Sequence, residues 1–399
     1  MQMAAAQEVP KTQPVSADSV ITDPTNQMDI IDVIKWLGKK IFKKKPDLFK
    51  KKKENLNGPF LTTIPYPGYT LATGVAAIAP INISFYTNKK EKGELSFFNS
   101  NFQYTQFKQI VAFSISNVFF GHDKWELIGD YRYYHFPTYT YGLGSLTSLA
   151  NEDRIDYSQL RVYQLLMHKI ANNLDVGIGY HLDYHWGIDD FNADNGITTD
   201  FQRYGFSKTS LSSGLSANLL YDSRDNPNNP KGGFYFNLQV RTTLQALGSN
   251  SNWNSLTLDC RKYVRLPTKW YTEFAFWAYI WYTINGNPPY LDLPATGWDM
   301  FNNTGRGYVM GRYRGLNMLY FETEFRFGIL RNGLLGGVVF ANIESVSEWP
   351  SNNFTTVQPG VGIGLRLKLN KRTNTNSAID YGFGTGGSRG FAFNFNEVF

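Results

Sequence analysis

From residue 59 onward, apolar and polar positions alternate with period two, and helical spacing nearly vanishes. In 176–186, Val176, Ile178, Tyr180, Leu182, Tyr184 and Trp186 form one face, and Gly177, Gly179, His181, Asp183 and His185 the other. Phe234, Phe236, Leu238 and Val240 alternate with Tyr235, Asn237, Gln239 and Arg241. The same rhythm sets Leu319, Phe321, Thr323, Phe325 and Phe327 against Tyr320, Glu322, Glu324 and Arg326, and Val361 to Leu369 against Gly360, Gly362, Gly364, Arg366 and Lys368. The pattern predicts fifteen strands near 74–86, 94–106, 109–120, 124–135, 156–169, 175–186, 206–222, 233–246, 253–266, 269–283, 315–328, 334–345, 359–370, 377–385 and 389–399. Residues 59–68 supply a sixteenth, weakened by Pro59, Pro65 and Pro67.

These segments are long for strands, and their polar faces carry charge at mid-strand. An apolar exterior around a polar interior is the inverted pattern of a transmembrane β-barrel, whose strands need about 9–11 residues. Lipid cannot satisfy a free sheet edge, so such a sheet must close. Tyr131, Tyr133, Tyr134, Trp270, Trp281 and Tyr282 fall near strand ends, where aromatic belts belong. The expected fold is all-β: a sixteen-stranded antiparallel barrel over 59–399, with longer connections around 138–155, 187–205 and 284–314. A helical membrane protein is excluded, because the longest apolar run, Phe274 to Tyr282, is far short of the ~20 residues a spanning helix needs.

The first 58 residues read differently, as a tail carrying one helix. Ile30, Ile34, Leu37 and Ile41 recur at helical spacing, with Asp29 and Asp32 early and Lys43 and Lys44 late, which suits the helix dipole. A basic amphipathic helix is expected over about 28–45. Ten lysines in 27–58 face only Asp29, Asp32, Asp47 and Glu54, so this stretch carries +6, the net charge of the whole chain. It suits an anionic lipid surface or an acidic mouth, and equally a solvated helix with a charged linker. Nucleic acid is not an expected partner, since no recognition module accompanies the charge.

Charged residues make up 18% of the 399, below the roughly 25% usual in soluble domains, and aromatics reach 16%. Cys260 is the only cysteine, which rules out a disulfide framework. His181, Asp183 and His185 share one strand face, but a rise of roughly 6.6–6.8 Å between alternate residues is wide for one ion. They read as polar lining rather than a metal site. No motif ties a serine to a histidine, so neither enzymatic activity nor a cofactor is expected.

Three segments resemble the BamA/TamA superfamily of outer-membrane assembly barrels. Leu220-Tyr-Asp-Ser-Arg-Asp-Asn-Pro-Asn-Asn-Pro-Lys-Gly-Gly is similar to its strand-turn motif. Gly305, Arg306, Gly307 and Tyr308, followed by Gly311-Arg-Tyr-Arg-Gly315, resemble the Arg-Gly-aromatic motif of its sixth extracellular loop. Phe399 closes an alternating aromatic strand, like the family's β-signal. The resemblance implies a long loop folded into the lumen, with Arg306 docked on strands 12 and 13. Glu324 matches the strand-12 acid, and Phe340-Ala-Asn-Ile-Glu344 aligns with the family's Phe-x-Asp-x-Gly on strand 13. Here Asn342 replaces Asp and Glu344 replaces Gly. The expected central contact is Arg306–Glu324, with Asn342 or Glu344 secondary; the plainer alternative is that Arg306 faces luminal water.

The resemblance further implies the outer membrane of a Gram-negative bacterium, a periplasmic N-terminus, and outer-membrane lipids, periplasmic or lipoprotein partners and unfolded outer-membrane clients as neighbours. Family members that insert or export proteins carry POTRA domains, and residues 1–58 hold no βααββ-like pattern, so the insertase role does not travel with the fold. A seam weakened by Pro65 and Pro67 on the first strand, and bordered by Gly390 and Phe399 on the last, would permit lateral opening. That favours aid to insertion or translocation of outer-membrane proteins or lipids. The alternatives are a passive pore gated by the loop and helix, and a structural subunit of a larger complex.

Overall fold

A computed structural model describes residues 27–33, 35–36, 59–63, 65–70, 74–87, 93–267, 272–300, 302–371 and 374–399. They form one sheet of sixteen antiparallel strands. Strand β1 comes in two pieces, Phe60–Thr62 and Tyr66–Thr70, both paired with β2 (Gly74–Phe85). Then follow β3 (Ser96–Thr105), β4 (Ile110–Phe120), β5 (Trp125–His135, extended by Thr138–Thr140), β6 (Asp153–Ala171), β7 (Leu174–Asp190) and β8 (Thr209–Asp222). The second half comprises β9 (Gly233–Thr243), β10 (Trp253–Arg265), β11 (Thr272–Gly286), β12 (Asn317–Gly328), β13 (Leu335–Val346), β14 (Gln358–Asn370), β15 (Thr375–Phe383) and β16 (Arg389–Phe395). Each strand pairs with the next.

The alternation sorts the two faces as an outer-membrane barrel requires. Phe321, Val339, Ile343, Val361, Ile363 and Phe391 are exposed on the outside, while Glu322, Glu324, Asn342, Arg366 and Asp380 are buried within. Cys260 is half-buried between Leu258 and Lys262 on one face of β10, opposite Phe236 and Ala278.

The inner face is not uniformly polar. Ala275, Trp277 and Tyr279 of β11 point inward and build an aromatic cluster with Tyr263, Tyr320, Tyr308 and Tyr313, because the 287–316 connection folds back and covers them. The same burial corrects part of the aromatic-belt expectation: Trp281 packs against this cluster, and Tyr134 packs on buried Val111, Phe113 and Ile115. Trp270 lies outside the described residues.

Odd-numbered strands run toward the end bearing the long connections and even-numbered strands toward the end with short turns. At the short-turn end a helix that includes residues 30–33 and 35–36 docks against two turns. The Met28 amide donates to the Asn332 carbonyl (2.9 Å), and Lys371 Nζ donates to Asp32 (2.8 Å). That hydrogen bond holds the Asp32 carboxyl below its ordinary range. Asp32 of the helix makes this contact, and the Lys371 amide donates to Asp29 (3.1 Å). Ile30 is half-buried, while Ile34, Leu37, Ile41, Lys43 and Lys44 lie outside the described residues.

The last strand is shorter than its alternation suggests. It stops at Phe395; Asn396 takes a left-handed φ of 71°, and Asn396–Phe399 turn into the lumen. Phe399, expected on the seam, is 3% exposed, and its ring sits 5.2 Å from Trp277 and 6.4 Å from Tyr263. The physical reason is that this end finds both an aromatic cluster and ionic partners inside. Of the other seam residues, exposed Pro65 lies between the two pieces of β1, Pro67 pairs with Ala77, and Gly390 pairs with Gly382.

Candidate functional site

The register across β12–β15 builds a floor for the inward loop. Glu322 faces Asn342, which faces Gly360; Glu324 faces Phe340, then Gly362, then Gly382. The glycines on the inner face of β14 and β15 leave a shallow trough, and the acids of β12 stand along its rim. A Cβ at Gly382 would lie 2.6 Å from the Gly307 amide nitrogen, so the loop backbone rests directly on the sheet there.

Arg306 is 2% exposed, and its guanidinium spans three strands. Nη2 donates to both Glu322 and Glu324, Nη1 donates to Asp380 (2.7 Å), and the group lies 3.8 Å from the centre of the Phe340 ring. A planar cation with five N–H donors serves several carboxylates at once. Its carboxylates are shared: Arg326 binds Glu324 (2.5 Å), and Arg366 binds Asp380 (2.5 Å). Glu397, just past β16, completes the network through Arg366 at 2.6 Å and Arg326 at 3.8 Å.

The loop backbone is fixed as well. Asn342 Nδ2 donates to the Arg306 carbonyl (2.9 Å), a bond an aspartate could not make, which gives the amide at this position a purpose. Glu344 accepts from Thr296 Oγ1 (2.7 Å) and so holds the loop at a second point without touching the arginine. Gly305 (φ +76°) and Gly307 (φ +105°) take left-handed conformations, and a Cβ on Gly307 would meet Phe383 backbone at 2.9 Å. Tyr308 donates to the Pro359 carbonyl (2.5 Å) and accepts from the Thr385 amide (3.0 Å). Further along, Arg312 Nη1 donates to Thr147 Oγ1 (2.8 Å) and Arg314 to the Tyr290 carbonyl (3.0 Å).

The structure thus brings Arg306, Glu324 and Asn342 together around one guanidinium and its carbonyl, and sets Glu344 aside on Thr296. Sequence reasoning missed Glu322, Asp380, Arg326, Arg366 and Glu397. Glu322 and Arg326 share the face of Glu324, which was a usable signal. Asp380 and Arg366 join through cross-strand register, and Glu397 through the inward turn after β16, none of which a local pattern carries.

Elsewhere in the lumen, Asp183 is committed to Arg161 Nε (2.9 Å), Arg241 Nη1 (2.9 Å) and the Tyr163 hydroxyl (2.6 Å), while His181 and His185 bond Ser216 and Ser210. A cavity of about 270 Å³ remains beside this cluster.

The Omp85 superfamily domain matches residues 92–397. Among solved structures, the chain is similar to BamA from Haemophilus ducreyi lacking POTRA domains 1–3, at 14% identity and a TM-score of 0.57, over 84% of this chain and 69% of that one. CdiB from Acinetobacter baumannii matches at 13% identity and a TM-score of 0.53, over 84% of this chain and 59% of CdiB. No match was found among curated protein sequences.

Proposed function

This chain belongs to the Omp85 superfamily, and on that premise we propose that it aids the insertion or translocation of outer-membrane proteins or lipids through the seam between β1 and β16. In this reading the chain works in a Gram-negative outer membrane as an assembly or translocation barrel, which its family membership supports. The short-turn end, with the docked helix, faces the periplasm. Residues 1–58 are then a periplasmic tail to the barrel at 59–399, open to lipoprotein or other periplasmic partners and to unfolded clients.

The observation that carries the reading is the weakness of the seam strands. Among the described residues, the pieces of β1 have three and five residues and β16 has seven, whereas the other strands run from nine to nineteen. Pro67 also lacks a ladder donor. In lipid every unpaired backbone group is costly, so short seam strands lower the energy needed to part them and reward any strand that adds to the free edge. Arg306 complements this by bracing β12 and β15, so that the wall beside the seam stays fixed while β16 moves.

The test is client folding in liposomes containing the full-length protein, with empty liposomes and Arg306→Ala as controls. Acceleration that depends on Arg306 supports the reading. No acceleration, together with ion current across the same bilayers, would replace it with a passive pore.

A further inference from the structure

Residues Asn396–Phe399 are held in the lumen from every side. The Asn396 amide donates to the Asn376 carbonyl (2.7 Å), and the Glu397 amide donates to the Asn228 carbonyl (3.0 Å) in the turn between β8 and β9. Glu397 accepts from Arg366 (2.6 Å) and from Asn376 Nδ2 (2.7 Å). Val398 is 2% exposed, and its carbonyl accepts from Asn303 Nδ2 of the inward loop (2.6 Å). Arg326 donates to the Phe399 carbonyl (2.9 Å).

We propose that Asn396–Phe399 form a latch that ties the end of β16 to the inward loop, so that loop docking and tail docking are one coupled equilibrium. Two links make the coupling. The direct one is the Asn303–Val398 bond. The second runs through charge: Arg306 enters the ion network from the loop and Glu397 enters from β16, with Glu322, Glu324, Arg326, Arg366 and Asp380 of the wall between them. With Arg306 present, three guanidiniums face four carboxylates. Without it, two face four, and Arg326 and Arg366 are drawn toward Glu324 and Asp380 while repulsion on Glu397 grows. Loop release therefore loosens the tail, and by thermodynamic reciprocity tail release loosens the loop. While latched, these four residues contribute no ladder bonds to a seam; released, they are free to extend β16.

The bearing of the latch on activity rests on the seam reading above, but its test reads the latch alone. In full-length protein carrying Cys260→Ser, Val398→Cys is labelled with a maleimide in liposomes. The parent should react slowly. Arg306→Ala and Glu397→Gln should each raise the rate about tenfold or more, the effect of losing a buried charge-assisted bond read through a local opening equilibrium. Asn303→Ala, outside the ion network, should raise it roughly threefold for one neutral hydrogen bond. Folding of each variant is checked by heat-modifiable mobility in SDS gels. Should Arg306→Ala fail that check, Glu397→Gln and Asn303→Ala decide. Rates equal to the parent's in the folded variants, or a parent that reacts as fast as a free thiol, would overturn the latch.

Discussion

Replacing Arg306 with alanine strips the shared guanidinium from Glu322, Glu324 and Asp380, all of them buried. Two arginines then remain for four carboxylates, counting Glu397. Removing one partner of a buried ion pair costs about 3–5 kcal/mol, because the survivor keeps its charge without its counter-charge. The loop keeps Tyr308, Arg312, Arg314 and the Thr296–Glu344 bond as other anchors. Local repacking and luminal water at the vacated site should therefore hold the loss near the lower figure, about 3 kcal/mol. Urea unfolding of the full-length protein in liposomes, followed by tryptophan fluorescence, measures it. Glu322→Gln should recover part of the loss in the double variant, with a coupling energy of roughly 1–3 kcal/mol. A loss below about 1 kcal/mol, or strict additivity with Glu322→Gln, would refute the view that Arg306 anchors the loop through this network.

Three other expectations use the same unfolding assay. Gly307→Ala should destabilise by about 1–3 kcal/mol, since its left-handed backbone gains a Cβ against Phe383; a neutral effect would mean the loop does not rest there. Asn342→Asp should cost a similar ~1–3 kcal/mol by removing the only donor of that side chain to the Arg306 carbonyl and placing an acceptor in front of it. Asp292, in the inward loop and bonded to Ser212 Oγ (2.5 Å), has its carboxyl pushed up to about 7 by burial. Its folded-state pKa lies above the unfolded 3.8, so the unfolded chain sheds this proton first, and the group's contribution to stability falls as pH rises from about 4 to 7. Asp292→Asn should flatten that slope, and an unchanged slope would place the titration elsewhere.

The strands were legible because lipid outside and charge inside leave a period-two signature that few other environments produce. β14 shows it most plainly: Val361, Ile363 and Leu365 point out, and Gly360, Gly362 and Gly364 point in. In the structure those glycines leave a trough, and what fills it is set by a loop some fifty residues upstream, which the alternation does not show. The part of the candidate site carried by Arg306, Glu324 and Asn342 was readable only through resemblance to a motif. Asp380 and Arg366 meet Arg306's network through pairings across three strands, and no window of sequence contains them. The end of β16 is the instructive failure. Residues 396–399 directly follow an alternating strand in sequence, yet Glu397 finds Arg366 and Phe399 finds Trp277, and those tertiary contacts outweigh local strand propensity. Likewise, an inward Trp281 looks like a belt residue until the loop that covers it is known.

The central claim is that the seam between β1 and β16 must part for the protein to act. In a Cys260→Ser background, Leu61→Cys and Phe393→Cys place one thiol on each seam strand, both at exposed outer positions. A short bismaleimide then joins them in the liposome client-folding assay, with the two single-cysteine variants treated alike. Loss of client acceleration on cross-linking, with the single variants unaffected, is the predicted result. Acceleration that survives a fully cross-linked seam would contradict the account.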